Sequence, residues 1–460
     1  MRLVALLGRE HTLAPPDYSR WLVPPAALAI HLSIGQAYAF SVFNLPLSRL
    51  LGGASPTPSD WKLSTIGWVF SVAIVFLGLS AATFGRWVER VGPRKAMFAS
   101  AVCFSGGFLV GAIGVWFHQF VLLLLGYGVL GGIGLGIGYI SPVSTLIKWF
   151  PDRPGMATGM AIMGFGGGAM IAAPLATALM KRFEHSAPQG VAPTFVVMGL
   201  LYFAFMMFGV FSVRVPPDNW HPSDRREPTG AKRRAESRER VPGNVTVDRA
   251  IKTPQFWLLW VMLCVNVTAG IGVLGQASPM IQEMFPGIIT AAAAAGFVGL
   301  LSLANMVGRF FWSSLSDYVG RKATYATFFL LGAALYALVP STGHAGSVAL
   351  FVIGYVIIMS MYGGGFATIP AYLRDMFGTI QVGAIHGRLL TAWSTAGVLG
   401  PVLVNYIREY QINHGVAKAD AYTVTMYIMA GLLLVGFLCN LRIKPVDARH
   451  TVEAREMSAA

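Results

Sequence analysis

The chain has 460 residues, of which 55% are hydrophobic and only 12% are charged, and its mean hydropathy is +0.61. Because a soluble globular domain carries about 25% charged residues, this composition excludes an ordinary soluble protein. The formal net charge of +14 must therefore be interpreted for a chain that lies in a lipid bilayer.

Windows of about 20 mostly apolar residues predict transmembrane helices. The segment that precedes the first window has a short apolar run and no small-residue cleavage site, so no removable signal peptide is expected. The twelve predicted spans are Leu22–Asn44, Leu63–Phe84, Ala96–Phe117, Phe120–Ile147, Met156–Met180, Val191–Val213, Phe256–Ile281, Ala291–Leu315, Ala323–Pro340, Val348–Leu373, Gly387–Ile407 and Ala421–Leu441.

Positive charge is distributed unevenly between the predicted loops. With a cytoplasmic N-terminus, 27 of the 34 Lys and Arg residues lie on the cytoplasmic side and 6 on the other side. This bias predicts an integral protein of the cytoplasmic (inner) membrane with both termini in the cytoplasm. The basic run at 231–240 is predicted to contact anionic lipid headgroups. Since that run has no aromatic residues to stack on bases, nucleic acid is not expected as a partner.

The two halves of the chain resemble each other. Gly92 and Gly320 lie 228 positions apart in similar loop sequences, and Pro142 and Pro370 have the same separation. Such an internal duplication is typical of two-lobed carriers that bind substrate between the lobes. The predicted segments are a cytoplasmic N-terminal segment (1–21), an N-terminal six-helix bundle (22–213), a cytoplasmic linker (214–253), a C-terminal six-helix bundle (254–441) and a cytoplasmic tail (442–460).

Several motifs resemble those of a known family. GRWVERVGPRK at 85–95 and SDYVGRK at 316–322 resemble the two copies of the loop signature of the major facilitator superfamily. The further motifs are TPQFWLLW at 253–260, KWFPDRPGMATG at 148–159, GRFFWSSLSDYVGR at 308–321 and RDMFG at 374–378. Together, these motifs resemble those of the oxalate/formate antiporter family from about Ile34 onward. The resemblance implies an all-α membrane fold of twelve helices and transport of a carboxylate.

The signature loops predict a conformational latch. Gly85 and Gly92 would allow a tight helix reversal, and Glu89, Arg90 and Arg94 would pair with one another or with neighbouring helix ends. The alternative is that these charges only mark topology. The latch is favoured because glycine and acidic positions recur in the second half. The recurring residues are Asp317, Gly320 and Arg321.

Arg309 is the one charged residue in the predicted span Ala291–Leu315. It precedes Asp317 by eight residues, which places it roughly 12 Å inside the membrane boundary at 1.5 Å per residue. A cation at that depth faces a partner or a watery cavity, and a substrate carboxylate would match the guanidinium fork. The alternative is a structural pin that bonds Asn305 or the carbonyls of a broken helix. The resemblance implies that this arginine binds the substrate carboxylate.

The resemblance also supplies the remaining pocket positions. In the family a second cation, a lysine, stands where this chain has Trp393. A single cation neutralises one carboxylate, so we expect a monocarboxylate rather than oxalate. The other pocket positions that the resemblance implies are Tyr38, Tyr139, Phe165, Tyr362 and Phe366.

His31 is a buried titratable group in the first span and a candidate proton site, although a neutral, hydrogen-bonded histidine is the alternative. The glycine strings at 131–138 and 164–169 indicate close helix packing rather than a nucleotide loop. The three cysteines are predicted to be core residues. No P-loop, metal-ligand cluster or catalytic triad occurs in the sequence, so we expect neither an enzyme nor a cofactor or metal.

These observations predict a secondary active transporter for a small carboxylate such as formate, lactate or pyruvate. It would work as a monomer by alternating access and anion exchange. Proton-linked symport of a monocarboxylate is the alternative mechanism. A sensor that binds an anion without transport is less favoured, because the linker contains no folded signalling domain.

Overall fold

The computed structural model describes residues 7–52, 57–184, 190–217, 220 and 244–451. Within these residues, 12 helices are long and apolar enough to cross a membrane. We number them α1 (Arg20–Leu47), α2 (Leu63–Val91), α3 (Pro93–Trp116), α4 (Phe120–Trp149), α5 (Pro154–Arg182), α6 (Val191–Ser212), α7 (Pro254–Met284), α8 (Ala291–Val319), α9 (Arg321–His344), α10 (Val348–Phe377), α11 (Val382–Asn413) and α12 (Thr423–Arg442).

The helices form two six-helix bundles, α1–α6 and α7–α12, as the sequence predicts. The bundles meet mainly where α5 packs against α8 and α10, and where α2 packs against α11. We call the side that holds the turns at Gly92 and Gly320 the linker face, and the other side the opposite face. Most helices extend past the predicted apolar windows, since polar residues continue the helix into the loops. For example, α11 begins five residues before the predicted Gly387.

Two helices are irregular. In α1, the residues Gly35–Phe43 form a 3₁₀-helix between two α-helical segments. In α4, Leu124–Gly131 is π-helical. Mid-helix departures of both kinds often mark functional sites, and the 3₁₀ segment carries Tyr38.

The signature glycines differ in their conformations. Gly92 has φ 83° and Gly320 has φ 93°, so both occupy the left-handed region that a tight reversal requires. Gly85, in contrast, was expected at a reversal, and that expectation is wrong because Gly85 lies inside α2. A Cβ atom at Gly85 would lie 2.8 Å from the Cα of Ala384, so this glycine allows α2 to pack closely against α11.

The described part of the linker packs on the linker face. Asp248 forms an ion pair with Arg86 of α2. Val245 donates its backbone N–H to the carbonyl of Phe377 at the end of α10, at 2.9 Å. The linker therefore contacts both bundles. The basic run at 231–240 lies outside the described residues, so its predicted contact with lipid stays a prediction.

Candidate substrate site between the two bundles

Arg309 lies at the interface of the bundles and is fully buried. Its Nε donates to Asn305 Oδ1 at 2.9 Å, one turn earlier on α8, and its Nη1 donates to the carbonyl of Ile162 on α5 at 3.4 Å. The Asn305 contact is the pinning bond that the sequence left open as an alternative. Nη2 has no hydrogen-bond partner among the described residues. The guanidinium is therefore held in place by two of its nitrogens, and the hydroxyl groups of Tyr38 and Tyr139 lie close to it.

The approach of α5 to Arg309 depends on glycine. A Cβ atom at Gly166 would lie 3.0 Å from Arg309 Nε and 3.2 Å from its Cδ, which is closer than ordinary van der Waals contact. Gly166 belongs to the glycine string at 164–169, so this string does serve close packing. It lets the arginine side chain lie flat against the facing helix.

Aromatic rings surround the guanidinium. Arg309 Cζ lies 5.7 Å from the ring centroid of Phe165 and 5.3 Å from that of Phe366, within cation–π range. Trp393 packs against both phenylalanine rings, with centroids 5.2 Å and 4.6 Å away. The hydroxyl oxygens of Tyr38 and Tyr362 lie 3.3 Å apart and join α1 to α10.

All seven residues predicted to line the pocket belong to this group, which we call the aromatic cluster: Tyr38, Tyr139, Phe165, Arg309, Tyr362, Phe366 and Trp393. They come from α1, α4, α5, α8, α10 and α11. The structure thus brings together residues that are up to 355 positions apart in the chain (393 − 38). No aspartate or glutamate among the described residues pairs with Arg309.

Unpartnered donors converge in the aromatic cluster. Besides Arg309 Nη2, the buried Tyr139 hydroxyl and Trp393 Nε1 have no hydrogen-bond partner among the described residues. The arginine and tryptophan nitrogens can only donate. Buried polar atoms without partners are rare and costly in native structures. The cluster therefore lacks an acceptor that a bound molecule could supply.

His31 lies beside this cluster, and a second histidine lies nearby. The His31 ring packs edge-on against Tyr139 with centroids 5.4 Å apart, and its Nδ1 lies 3.3 Å from the carbonyl of Ala27. His386 of α11 also packs against Tyr139, with its ring centroid 5.8 Å from that of the tyrosine. The Nε2 atoms of both histidines are buried without partners in the described chain.

Sequence reasoning missed His386. The available signal was its spacing of seven residues before Trp393 (393 − 386), which is two helical turns and places both residues on one face of α11.

A cavity of about 580 Å³ lies between the bundles above the aromatic cluster. It extends from Leu63, where α2 begins at the opposite face, to Tyr38 and Asn305 in the middle of the molecule. Its lining comes from both bundles, and the described residues that form it include no Asp, Glu, Lys or Arg. Because Asn305 also binds Arg309, the floor of the cavity is in direct contact with the candidate anion site.

Hydrogen bonds between the bundles also occur at the linker face. The Asp317 carboxylate accepts from the backbone N–H groups of Gly155 and Met156, at 2.8 Å and 2.9 Å, where α5 begins. Glu89 accepts from Gly383 at 3.1 Å, near the start of α11, and binds Lys148 at 2.9 Å. Each predicted latch carboxylate therefore binds near a helix N-terminus of the other bundle, where the helix dipole favours negative charge.

Arg94 and Arg321 form hydrogen bonds with residues of their own bundles. Arg94 is buried and donates through Nε to the carbonyl of Val210 at 3.1 Å, near the end of α6. Arg321 binds Asp317 at 2.6 Å and Asp375 at 2.9 Å, and so joins the ends of α8 and α10. Arg90 lies one residue after Glu89 near the end of α2.

Comparisons with known proteins agree with this architecture. A family model of the Major Facilitator Superfamily matches residues 26–401 and 279–459. The oxalate:formate antiporter of Oxalobacter formigenes is 26% identical over 384 residues, which cover 83% of this chain and 83% of the relative. Apicoplast pyruvate carrier 1 of Toxoplasma gondii is 24% identical over 447 residues, which cover 86% of this chain and 78% of that protein.

The fold is also found among solved structures. A Major Facilitator Superfamily transporter, FucP, crystallised in the outward conformation, aligns with a TM-score of 0.62 at 14% identity, covering 92% of this chain and 99% of that chain. At this identity the likeness concerns the fold alone. Since the family model spans most of the sequence, this chain belongs to the Major Facilitator Superfamily and is a membrane transporter rather than an enzyme.

Proposed function

We propose that this protein is a secondary active transporter of a small monocarboxylate, such as formate, lactate or pyruvate, and that it works by anion exchange. The single observation that supports this proposal most strongly is the set of unpartnered buried donors in the aromatic cluster: Arg309 Nη2, the Tyr139 hydroxyl and Trp393 Nε1. A molecule that satisfies donors must bring acceptors. A carboxylate brings two oxygens and a negative charge that balances the guanidinium.

One permanent cation supports one carboxylate. Trp393 is fully buried at the position where the resemblance implies a lysine, and it contributes a neutral donor. A second carboxylate buried against these rings would have no counter-charge, and burying an unpaired charge is costly. One relative is named as an oxalate:formate antiporter, and another is named as a pyruvate carrier. The single cation favours the monocarboxylates among these substrates.

The mechanism that we propose is alternating access around Arg309. In the present conformation the cavity of about 580 Å³ lies on the opposite-face side of the cluster, and the latch contacts hold the linker face together. An unpartnered cation disfavours closure of the emptied site, while a bound anion permits it. Exchange follows, because the bundles then move more readily with an anion bound than with the site empty. The uneven distribution of Lys and Arg in the sequence supports a cytoplasmic linker face and a location in the cytoplasmic membrane.

Counterflow in proteoliposomes tests the proposal. Vesicles are loaded with unlabelled formate, lactate, pyruvate or oxalate, and the same anion is added outside in labelled form. The labelled monocarboxylates should accumulate transiently inside the vesicles that contain the protein. Arg309→Ala should abolish this accumulation, and Arg309→Lys should restore part of it because the charge returns without the planar fork. Arg20→Ala serves as the matched control, since Arg20 pairs with Asp152 at the linker face, far from the cluster.

Two outcomes would contradict the proposal. Normal counterflow by correctly inserted Arg309→Ala protein would show that transport does not require the guanidinium. Binding of the anions without any counterflow would indicate a sensor instead of a carrier.

A further inference from the structure

The large cavity above Arg309 has a distinctive lining that the proposed function does not use. Its walls carry amide and hydroxyl side chains from both bundles in a mostly apolar surface. On the N-terminal bundle these are Ser41, Asn44 and Ser71, and on the C-terminal bundle they are Gln276, Ser302 and Asn405. Pockets that recognise small molecules have this composition, in which a few polar groups fix the orientation of the ligand.

Two of these amides form a defined pair. Gln276 Nε2 on α7 donates to Asn405 Oδ1 on α11 at 2.5 Å. The bond fixes the orientation of both amides, and it leaves the Gln276 carbonyl oxygen as an acceptor and the Asn405 amino group as a donor. An acceptor beside a donor is the pattern that a hydroxyl group complements, because a hydroxyl both donates and accepts.

The facing wall offers a second acceptor. Asn44 Oδ1 of α1 is buried and has no partner among the described residues. Asn44 therefore adds an amide of the other bundle to the cavity lining, and its buried oxygen would become an acceptor for a ligand after a rotation of the side chain.

The cavity and the anion site are adjacent and share residues at their boundary, while Arg309 itself is fully buried behind them. Tyr38 and Asn305 line the cavity floor, and they also contact Phe165 and Arg309 of the aromatic cluster. Ser302 lies seven residues before Arg309 on α8, which is about 10 Å along the helix at 1.5 Å per residue. Once the side chains of Tyr38 and Asn305 move apart, a ligand whose carboxylate binds Arg309 would extend several carbon atoms into the polar part of the cavity.

We propose that the residues Asn44, Gln276, Ser302 and Asn405 form a polar subsite for the tail of the substrate, and that the preferred substrates are hydroxylated monocarboxylates. This inference rests on the proposed function and narrows its substrate class. A second carboxylate on the tail is disfavoured, because no basic residue occurs among the described residues of the cavity lining. A purely alkyl tail is disfavoured as well, because it would leave the amide groups without partners.

Competition against labelled lactate counterflow tests this inference with the wild-type protein. The competitors are propionate, gluconate, hexanoate and glucarate. Gluconate should inhibit at about tenfold lower concentration than hexanoate, which has the same number of carbon atoms and no hydroxyl groups. Gluconate should also inhibit better than glucarate, which carries a carboxylate at each end.

Variants assign the effect to the amide pair. Gln276→Leu and Asn405→Leu should each remove most of the advantage of gluconate over hexanoate and leave inhibition by propionate unchanged. Gln255→Leu is the matched control, since Gln255 is a half-buried amide at the linker-face end of α7 that donates to the carbonyl of Lys444 at 3.2 Å. Its gluconate preference should equal that of the wild type.

The outcomes separate the two proposals. If hexanoate or glucarate competes as well as gluconate in wild-type vesicles that exchange lactate, the polar subsite is wrong and carboxylate transport stands. If no carboxylate competes and no lactate exchanges, the proposed function fails together with the subsite.

Discussion

Gly383 donates its backbone N–H to the carboxylate of Glu89, and this bond joins α11 of one bundle to α2 of the other. The equivalent contact in the second half runs the opposite way, from Gly155 of α5 to Asp317 of α8. The two bonds are related by the internal repeat. Together they connect the bundles at the linker face, where the proposed movement has to separate them.

Removing either carboxylate charge should loosen the linker face. A hydrogen bond to a charged group contributes about 1.5–3 kcal/mol, so Glu89→Gln and Asp317→Asn should each raise the open population about tenfold or more. Hydrogen exchange of the backbone amides at the start of α11 would report this opening. The control is Asp152→Asn, which breaks an ion pair with Arg20 on the same face but inside one bundle. Equal exchange in all three variants would count against the latch.

Close contact between α2 and α11 should depend on Gly85. In Gly85→Ala the new methyl group would lie 2.8 Å from the Cα of Ala384, so we expect a loss of about 1–3 kcal/mol in stability. Thermal unfolding in detergent would show a lower midpoint. Gly67→Ala, on the same helix, meets nothing within 4 Å and should leave the midpoint unchanged or raise it. A similar midpoint for both variants would show that the helices separate without cost.

A second cation should change the selectivity of the aromatic cluster. In Trp393→Lys the ammonium would stand beside Phe366, whose ring centroid lies 4.6 Å from that of the tryptophan. Inhibition of lactate counterflow by oxalate should improve by about tenfold relative to inhibition by formate, since a charge-assisted hydrogen bond is gained. Trp393→Gln is the neutral control for lost ring packing. Unchanged oxalate selectivity in the lysine variant would refute our interpretation of this position.

Exchange and proton-linked transport differ in their need for the two histidines. Tyr139 packs against the rings of both His31 and His386, and Arg309 is the nearby permanent charge. If exchange is the mechanism, the His31→Gln and His386→Gln variants should keep counterflow at unchanged pH dependence, and a dye inside the vesicles should detect no acidification. Acidification that accompanies uptake in the wild type and is lost in either variant would establish proton coupling instead.

The sequence was sufficient to predict the twelve spans, because apolar length alone identifies a helix that crosses a bilayer. The sequence also predicted that Arg309 and the six aromatic residues belong to the candidate site. The arginine was predicted from its depth in a membrane span, and the aromatic residues from the family resemblance. Their role in binding stays a proposal.

Other features depend on contacts between distant segments. The bond between Asp317 and Gly155 joins residues 162 positions apart, and local pattern gives no indication of such a pair. Gly85 was wrongly expected at a turn for the same reason, since its neighbour Ala384 belongs to the other bundle. The amide pair of Gln276 and Asn405 escaped notice because single polar residues in apolar helices are individually uninformative.

The lone guanidinium of the aromatic cluster has an electrical consequence. A transmembrane potential acts on net charge, at about 2.3 kcal/mol per elementary charge per 100 mV. With a monocarboxylate bound, the charges of Arg309 and its ligand sum to zero. The transition of the loaded carrier is therefore independent of the membrane potential. The emptied site carries its positive charge through the same movement. One-for-one exchange is then electrically silent, while the return of an unloaded carrier generates a current.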